Sequence, residues 1–246
     1  LMLGLMRFPD APALLVAHAT DALAHRQYDT AWASASRALT LAPGRLDVWA
    51  TAFDIAARRG HADALSALIH DADKRLGDDL AARRELVSHL TSLVDRPDGR
   101  LADTTLAWAQ GIVERDSSGS SRLLRARVHV ARGEWDAATH DADAARRDPA
   151  SAREALRLKA DVLSYAGAYD ASFAAYREYL SSYPDDLMAA RQLARVYGWA
   201  QRYDEARAQY ATLVAAHPSD ARLRLEANAK SAYFAGKWQE IGRAHV

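Results

Sequence analysis

Between residues 187 and 220 apolar side chains recur at helical spacing in two blocks, Leu193, Ala194 and Tyr197 followed by Ala206 and Tyr210, and Pro218 closes the second. Each block reads as a helix with a single apolar stripe. The same grammar recurs along the chain. Gly133-Glu134-Trp135-Asp136, Gly167-Ala168-Tyr169-Asp170, Gln201-Arg202-Tyr203-Asp204 and Gly236-Lys237-Trp238-Gln239 place an aromatic at steps of 34, 34 and 35 residues. Three positions behind the first three aromatics stand Ala138, Ser172 and Ala206, and prolines follow at Pro149, Pro184 and Pro218. Near the start the order appears again as Tyr28-Asp29, Ala31 and Pro43. Seven such periods fit almost the whole length of 246 residues.

A physical job can be given to each position. The small residue lets the two helices of one unit approach closely, and the aromatic fills the gap left at the turn. Proline ends the second helix, because its ring cannot continue the ladder and the residue before it is pushed out of the helical region. A helix pair of this size cannot bury both stripes alone, so neighbouring pairs must stack.

The period and these residues resemble the tetratricopeptide repeat, a helix-turn-helix unit. The copy from Leu187 to Asp220 fits best. The copy from Arg153 to Asp186 carries Leu156, Ala160, Leu163, Ser172, Tyr176 and Pro184, with Lys159 where a large apolar residue is usual. That from Leu46 to Asp79 keeps Trp49, Phe53 and Gly60 but has Gly77 in the proline position. The resemblance implies an all-α fold, an α-solenoid in which about seven antiparallel helix pairs form a right-handed superhelix. The expected organisation is an N-terminal segment (1–11), two repeats (12–79), an irregular expanded helix pair (80–118), three repeats (119–221) and the first part of a further repeat (222–240). In the irregular pair, helices are expected over Leu80–Asp95 and Leu101–Arg115, joined by the turn signal Arg96-Pro97-Asp98-Gly99. The apolar Leu1–Met6 run reads as the end of a preceding helix or the tail of a signal segment. Residues 241–246 break the pattern and resemble translated sequencing adapter, so an artefactual tail is expected there and His245 is given no role.

Composition narrows function more than fold. Alanine supplies 55 residues, which favours helix, and half the chain is apolar, enough for a substantial core. Lys+Arg and Asp+Glu balance at 32 each, which removes the electrostatic argument for nucleic acid. The absence of cysteine excludes disulfides and thiolate metal sites while leaving bacterial cytoplasm and periplasm both open. No run approaches the roughly 18–20 apolar residues that span a bilayer. His18 and His25 share a helical face without a third ligand, so no metal site is expected. Ser117-Ser118-Gly119-Ser120-Ser121 lacks the phosphate-loop lysine and reads as a linker between repeats. Acidic pairs such as Asp71/Asp73 and Asp141/Asp143 lie beside arginines and read as solvated helix faces. Neither an enzyme nor a cofactor is expected.

What remains is a binding surface. The resemblance implies that first helices line a concave face that holds a protein or peptide segment. The inward positions it implies are Glu154, Arg157, Asp161, Ser164 and Tyr165; Met188, Arg191, Arg195, Gly198 and Trp199; and Glu226, Lys230, Tyr233 and Phe234. Of these, Arg157, Asp161, Tyr165, Arg191, Arg195, Trp199, Lys230 and Tyr233 are the candidate groove residues, because arginine and aromatics dominate interface hot spots. Packing between repeats is the alternative for Tyr165, Trp199 and Tyr233, and pairing with acids on neighbouring helices is the alternative for the arginines. The Lys/Asn set that clamps chaperone tails in this family is not reproduced, since an Asp and an Arg stand where an Asn is needed.

Three functions fit this surface: an interaction scaffold, the periplasmic repeat region of an exopolysaccharide-export protein, or the sensor arm of a larger regulator. The export reading rests on the run from Leu193 to Ala206, which is similar to repeats of that family and would add an anionic polysaccharide as partner. Full-length gene sequence separates the three: alternating ten-residue strands downstream favour export, and an upstream helix-turn-helix favours regulation.

Overall fold

The computed structural model describes residues 2–60, 62–94 and 99–244, with side chains omitted at 2, 62, 99, 100, 235 and 237–244. The described residues form fourteen helices: α1 (Met2–Arg7), α2 (Pro12–Ala24), α3 (Tyr28–Leu41), α4 (Leu46–Arg59), α5 (Ala62–Leu76), α6 (Leu80–Thr91), α7 (Gly99–Arg115), α8 (Gly119–Ala131), α9 (Trp135–Ala145), α10 (Ala152–Tyr165), α11 (Tyr169–Ser182), α12 (Leu187–Trp199), α13 (Tyr203–Ala216) and α14 (Ala221–Ala244). No strand occurs among them. The architecture is all-α, a helical-repeat fold of the α-solenoid class.

Two compact units divide the chain at Asp141 and Ala142. In the N-terminal unit α2 packs on α3, α4 on α5 and α6 on α7. The first helices also touch in sequence, α2 with α4, α4 with α6 and α6 with α8, while α5 touches α7, giving two rows of stacked helices. Trp49, Phe53, Leu65, Leu86, Leu90, Trp108 and Ile112 fill the core between the rows. In the C-terminal unit α10 packs on α11 and α12 on α13, with α11–α12 and α13–α14 contacts between successive pairs. Its core joins Phe173, Tyr176, Leu193, Tyr197, Tyr203, Tyr210 and Phe234, with Phe173 stacked on Tyr197 at 4.4 Å and Tyr203 on Phe234 at 5.1 Å.

The recurring sequence positions act as their chemistry requires. Ala31, Ala138, Ser172 and Ala206 are fully buried, and the Ser172 hydroxyl donates to the Ala160 carbonyl at 2.9 Å across the helix contact. Two residues before each turn aromatic the backbone is left-handed, at Arg26, Gly133, Gly167 and Gln201, with φ between 60° and 74°. Glycine adopts that conformation without strain, whereas a side chain costs about 1 kcal/mol. Pro184 and Pro218 stop the second helices, and two residues later an aspartate starts the next first helix. Asp186 accepts from the Ala189 amide at 3.0 Å and Asp220 from the Leu223 amide at 2.8 Å, satisfying orphan helix donors.

Two local expectations are revised. The helix expected to reach Asp95 ends at Thr91, where Ser92, Leu93 and Val94 amides bond to carbonyls three residues back and tighten the last turn. The joining turn at residues 96–98 lies outside the described residues, as does His245. Gly236 forms no turn: α14 runs unbroken to Ala244, because the alanine-, lysine- and glutamate-rich run around this glycine sustains the helix, where one glycine costs only about 1 kcal/mol. Lys159 occupies its apolar position because its ammonium pairs with Asp143 at 2.7 Å instead of packing.

Candidate functional site

In the C-terminal unit the first helices α10 and α12, with α14, carry the candidate groove residues. Each buries one face; for α12 it is Ala189, Ala190, Leu193, Ala194, Val196 and Tyr197. The opposite stripe runs Arg191, Arg195, Trp199 at four-residue steps. Tyr165, Trp199 and Tyr233 occupy one position at consecutive intervals of 34 residues. They are 50%, 46% and 56% exposed. The three rings therefore lie outside the core at one repeat position, and Trp199 and Tyr233 border the same cavity.

The charged residues divide differently. Glu226 receives Arg191, Arg195 (3.0 Å) and the Tyr210 hydroxyl (3.1 Å) on one carboxylate. Burial raises the Glu226 pKa, and the two guanidiniums more than offset this, holding it below the ordinary glutamate value. Burial and the adjacent carboxylate push Tyr210 up to about 12, so it stays a donor. The Arg191 side chain is 14% exposed against 41% for Arg195. Arg191 thus holds α12 to α14, while Arg195 also reaches solvent. One repeat earlier, burial raises the Asp161 pKa, opposed by a hydrogen bond from Tyr176 and by Arg157 3.4 Å away. Arg157 also lies 3.6 Å from Asp186. Arg157, Asp161 and Arg191 are accordingly tied into carboxylate networks beneath the surface. Ser164 and Phe234, placed inward by the sequence, are buried packing residues.

Arg195, Trp199, Lys230 and Tyr233 surround a cavity of about 360 Å³ between α12 and α14. Tyr203 and Phe234 stack beneath it, and Gly198 and Gln201 complete its lining. A Cβ at Gly198 would stand 2.9 Å from Phe234 Cζ, so glycine is needed for that ring to seat. Lys230 makes no ion pair among the described residues. The cavity thus combines two exposed rings with two cations. Sequence reasoning missed the roles of Tyr176, which reaches back to Asp161 on α10, and Tyr210, which reaches forward to Glu226 on α14; their 34-residue separation was the available signal that they share a repeat position.

The N-terminal unit has a smaller cavity of about 250 Å³ between α5 and α7, lined by Ile69, His70, Asp73 and Trp108 among others. Its carboxylate is already engaged: Asp73 pairs with buried Arg83 and accepts from Trp108 Nε1 at 2.5 Å. No group of three or more metal-ligating side chains occurs among the described residues, and no helix there is long and apolar enough to cross a membrane.

No protein-family model matches the chain, and no curated protein matches it. Solved structures do. A tetratricopeptide repeat protein from Parabacteroides merdae superposes with a TM-score of 0.53 at 15% identity, covering 94% of this chain and 93% of that one. The MamA protein gives 0.51 at 15% identity over 72% of this chain and 94% of its own. Naa15/Naa10 bound to HypK gives 0.53 at 15% identity, covering 94% of this chain and 35% of that one. Together with the buried small residues, left-handed turns and proline exits recurring near every 34 residues, these likenesses establish that the chain has the tetratricopeptide-repeat fold.

Proposed function

We propose that the protein is an interaction scaffold that holds a segment of a partner protein against the first-helix face of its C-terminal unit. The observation that carries this reading is the set Tyr165, Trp199 and Tyr233, three half-exposed rings at one repeat position, two of which border the cavity between α12 and α14. Single exposed apolar side chains are ordinary, but two exposed rings beside one concavity mark a contact surface. Arg195 and Lys230 supply charge beside the rings. Arg157, Asp161 and Arg191 form the supporting layer that fixes the helices presenting them. That a complex among the structural likenesses holds a bound HypK partner is consistent with this use of the fold.

The test compares partners recovered by the wild-type chain with those recovered by an Arg195→Ala, Trp199→Ala, Tyr233→Ala variant whose helicity is first matched by circular dichroism. Selective loss of one partner from the variant is the expected result. Equal recovery of every partner would show that this face is not the binding surface.

A further inference from the structure

Resting on that reading of the first-helix face, we infer that the α12–α14 cavity is the anchor pocket for a single aromatic side chain of the partner segment, with acidic residues next to it in sequence. Size comes first. At about 360 Å³ the cavity lies at the small end of ligand pockets, which run from about 300 to 1,000 Å³, so it holds one large side chain rather than a length of chain. Its walls favour a ring. Trp199 and Tyr233 stand half-exposed at its border, Tyr203 and Phe234 are stacked beneath at 5.1 Å, and Tyr233 meets Phe234 edge-on at 5.8 Å. A ring entering there adds offset-stacked or edge contacts to a cluster already built of them, whereas an aliphatic side chain gains burial alone.

Charge selects the neighbours of that ring. Arg195 and Lys230 line the cavity, and no carboxylate does among the described residues. Arg195 spends Nε and Nη2 on Glu226 Oε1, at 3.1 and 3.0 Å, which leaves Nη1 for a ligand, and Lys230 makes no ion pair among the described residues. Carboxylates beside the bound ring would complete both cations. Gln201 is a further recognition group. Its backbone is left-handed at φ 60°, where the two preceding repeats have Gly133 and Gly167, so a side chain is held there against strain. Arg26 shares that strain; what sets Gln201 apart is that it lines the cavity, where its carboxamide can hydrogen-bond the main chain of the bound segment.

Fluorescence anisotropy of labelled peptides against the full chain tests this. The probe is Gly-Ser-Gly-Glu-Trp-Glu-Gly-Ser-Gly. In the comparison peptides leucine replaces the tryptophan, lysines replace the glutamates, or the two glutamates move to the ends. Adenosine monophosphate, planar and anionic but not a peptide, is the competitor. The inference requires the probe to bind at least about tenfold more tightly than each comparison peptide. It also requires Trp199→Ala to lose about tenfold or more, and Lys230→Glu to narrow the preference for glutamate over lysine. Gln201→Gly must weaken binding while its melting temperature equals or exceeds that of the parent, a combination that a purely structural role for this side chain excludes. If Trp199→Ala is misfolded by circular dichroism, Lys230→Glu and Gln201→Gly carry the test. Equal or tighter binding of any comparison peptide, or of adenosine monophosphate, that still depends on Trp199 would overturn the inference and leave the surface assignment standing. Probe binding indifferent to Trp199→Ala and Lys230→Glu would overturn both. No binding by the probe overturns the inference, and recovery of partners by the Arg195→Ala, Trp199→Ala, Tyr233→Ala variant then judges the surface alone.

Discussion

Removing the carboxylate of Glu226 isolates the interaction that ties α14 to the helix presenting Arg195 and Trp199. Glu226 is 15% exposed and pairs with Arg191, which is 14% exposed. Breaking a fully buried pair by deleting one partner costs about 3–5 kcal/mol, because the remaining charge stays desolvated. Residual solvent access at both groups moves this toward the lower end. Arg195 is 41% exposed and can rehydrate, so its share is under about 1 kcal/mol. Glu226→Ala is therefore expected to cost about 3 kcal/mol and Arg195→Ala less than about 1 kcal/mol. Each repeat touches only its neighbours, so unfolding of the array need not be two-state and a local probe is required. Hydrogen exchange of α12 and α14 amides supplies it, and about 3 kcal/mol corresponds to roughly a hundredfold loss of protection. The sign with pH follows from the depressed Glu226 pKa: its contribution is complete above the unfolded glutamate value near 4.5 and is lost as pH falls through the lower folded value. Unchanged protection in Glu226→Ala, or a larger loss in Arg195→Ala, would refute the assignment of Arg191 and Glu226 as the structural pair.

Further expectations concern other parts of the chain. His89 Nε2 lies 3.0 Å from Asp54, and that hydrogen bond raises its pKa, so the stabilisation is present below about 6.5 and disappears as pH rises through the raised value; His89→Asn should flatten thermal stability against pH between about 6 and 8. Ala206→Leu should cost about 1–3 kcal/mol in urea unfolding by overpacking the helix contact, and Tyr203→Ala about 3 kcal/mol by emptying the site stacked on Phe234; parental stability in both would show the register of this repeat to be wrong. Arg26→Gly should raise the melting temperature, because it relieves a left-handed side-chain residue worth about 1 kcal/mol, while Gly167→Ala should lower it.

The second half of the fold was legible because local chemistry and tertiary packing agree there. Aromatic, small residue, proline and capping aspartate each fall where a helix begins, ends or approaches another. The α6–α7 pair was legible as two helices but not as a regular repeat, because α7 is longer than the other second helices, at 17 residues, and its fully buried polar position, Thr105, satisfies its own hydroxyl on the Leu101 carbonyl. Buried Arg83 had no sequence signal: it bonds to the Gly77 and Asp73 carbonyls at the end of α5, a partnership set by how α6 folds back. At the candidate site, spacing identified the stripe but not which members face solvent. Both alternatives weighed for it occur in one stripe, since Arg191 pairs with Glu226 while Trp199 stands half-exposed beside the cavity.

Photocrosslinking addresses the proposed surface most directly. Benzoylphenylalanine placed at position 199 or 233 lies beside the cavity between α12 and α14, whereas at position 207 it projects from an exposed site on the second helix α13. The account predicts that one partner crosslinks from 199 and 233 and not from 207. Crosslinking of that partner from 207 with none from 199 or 233 would contradict it.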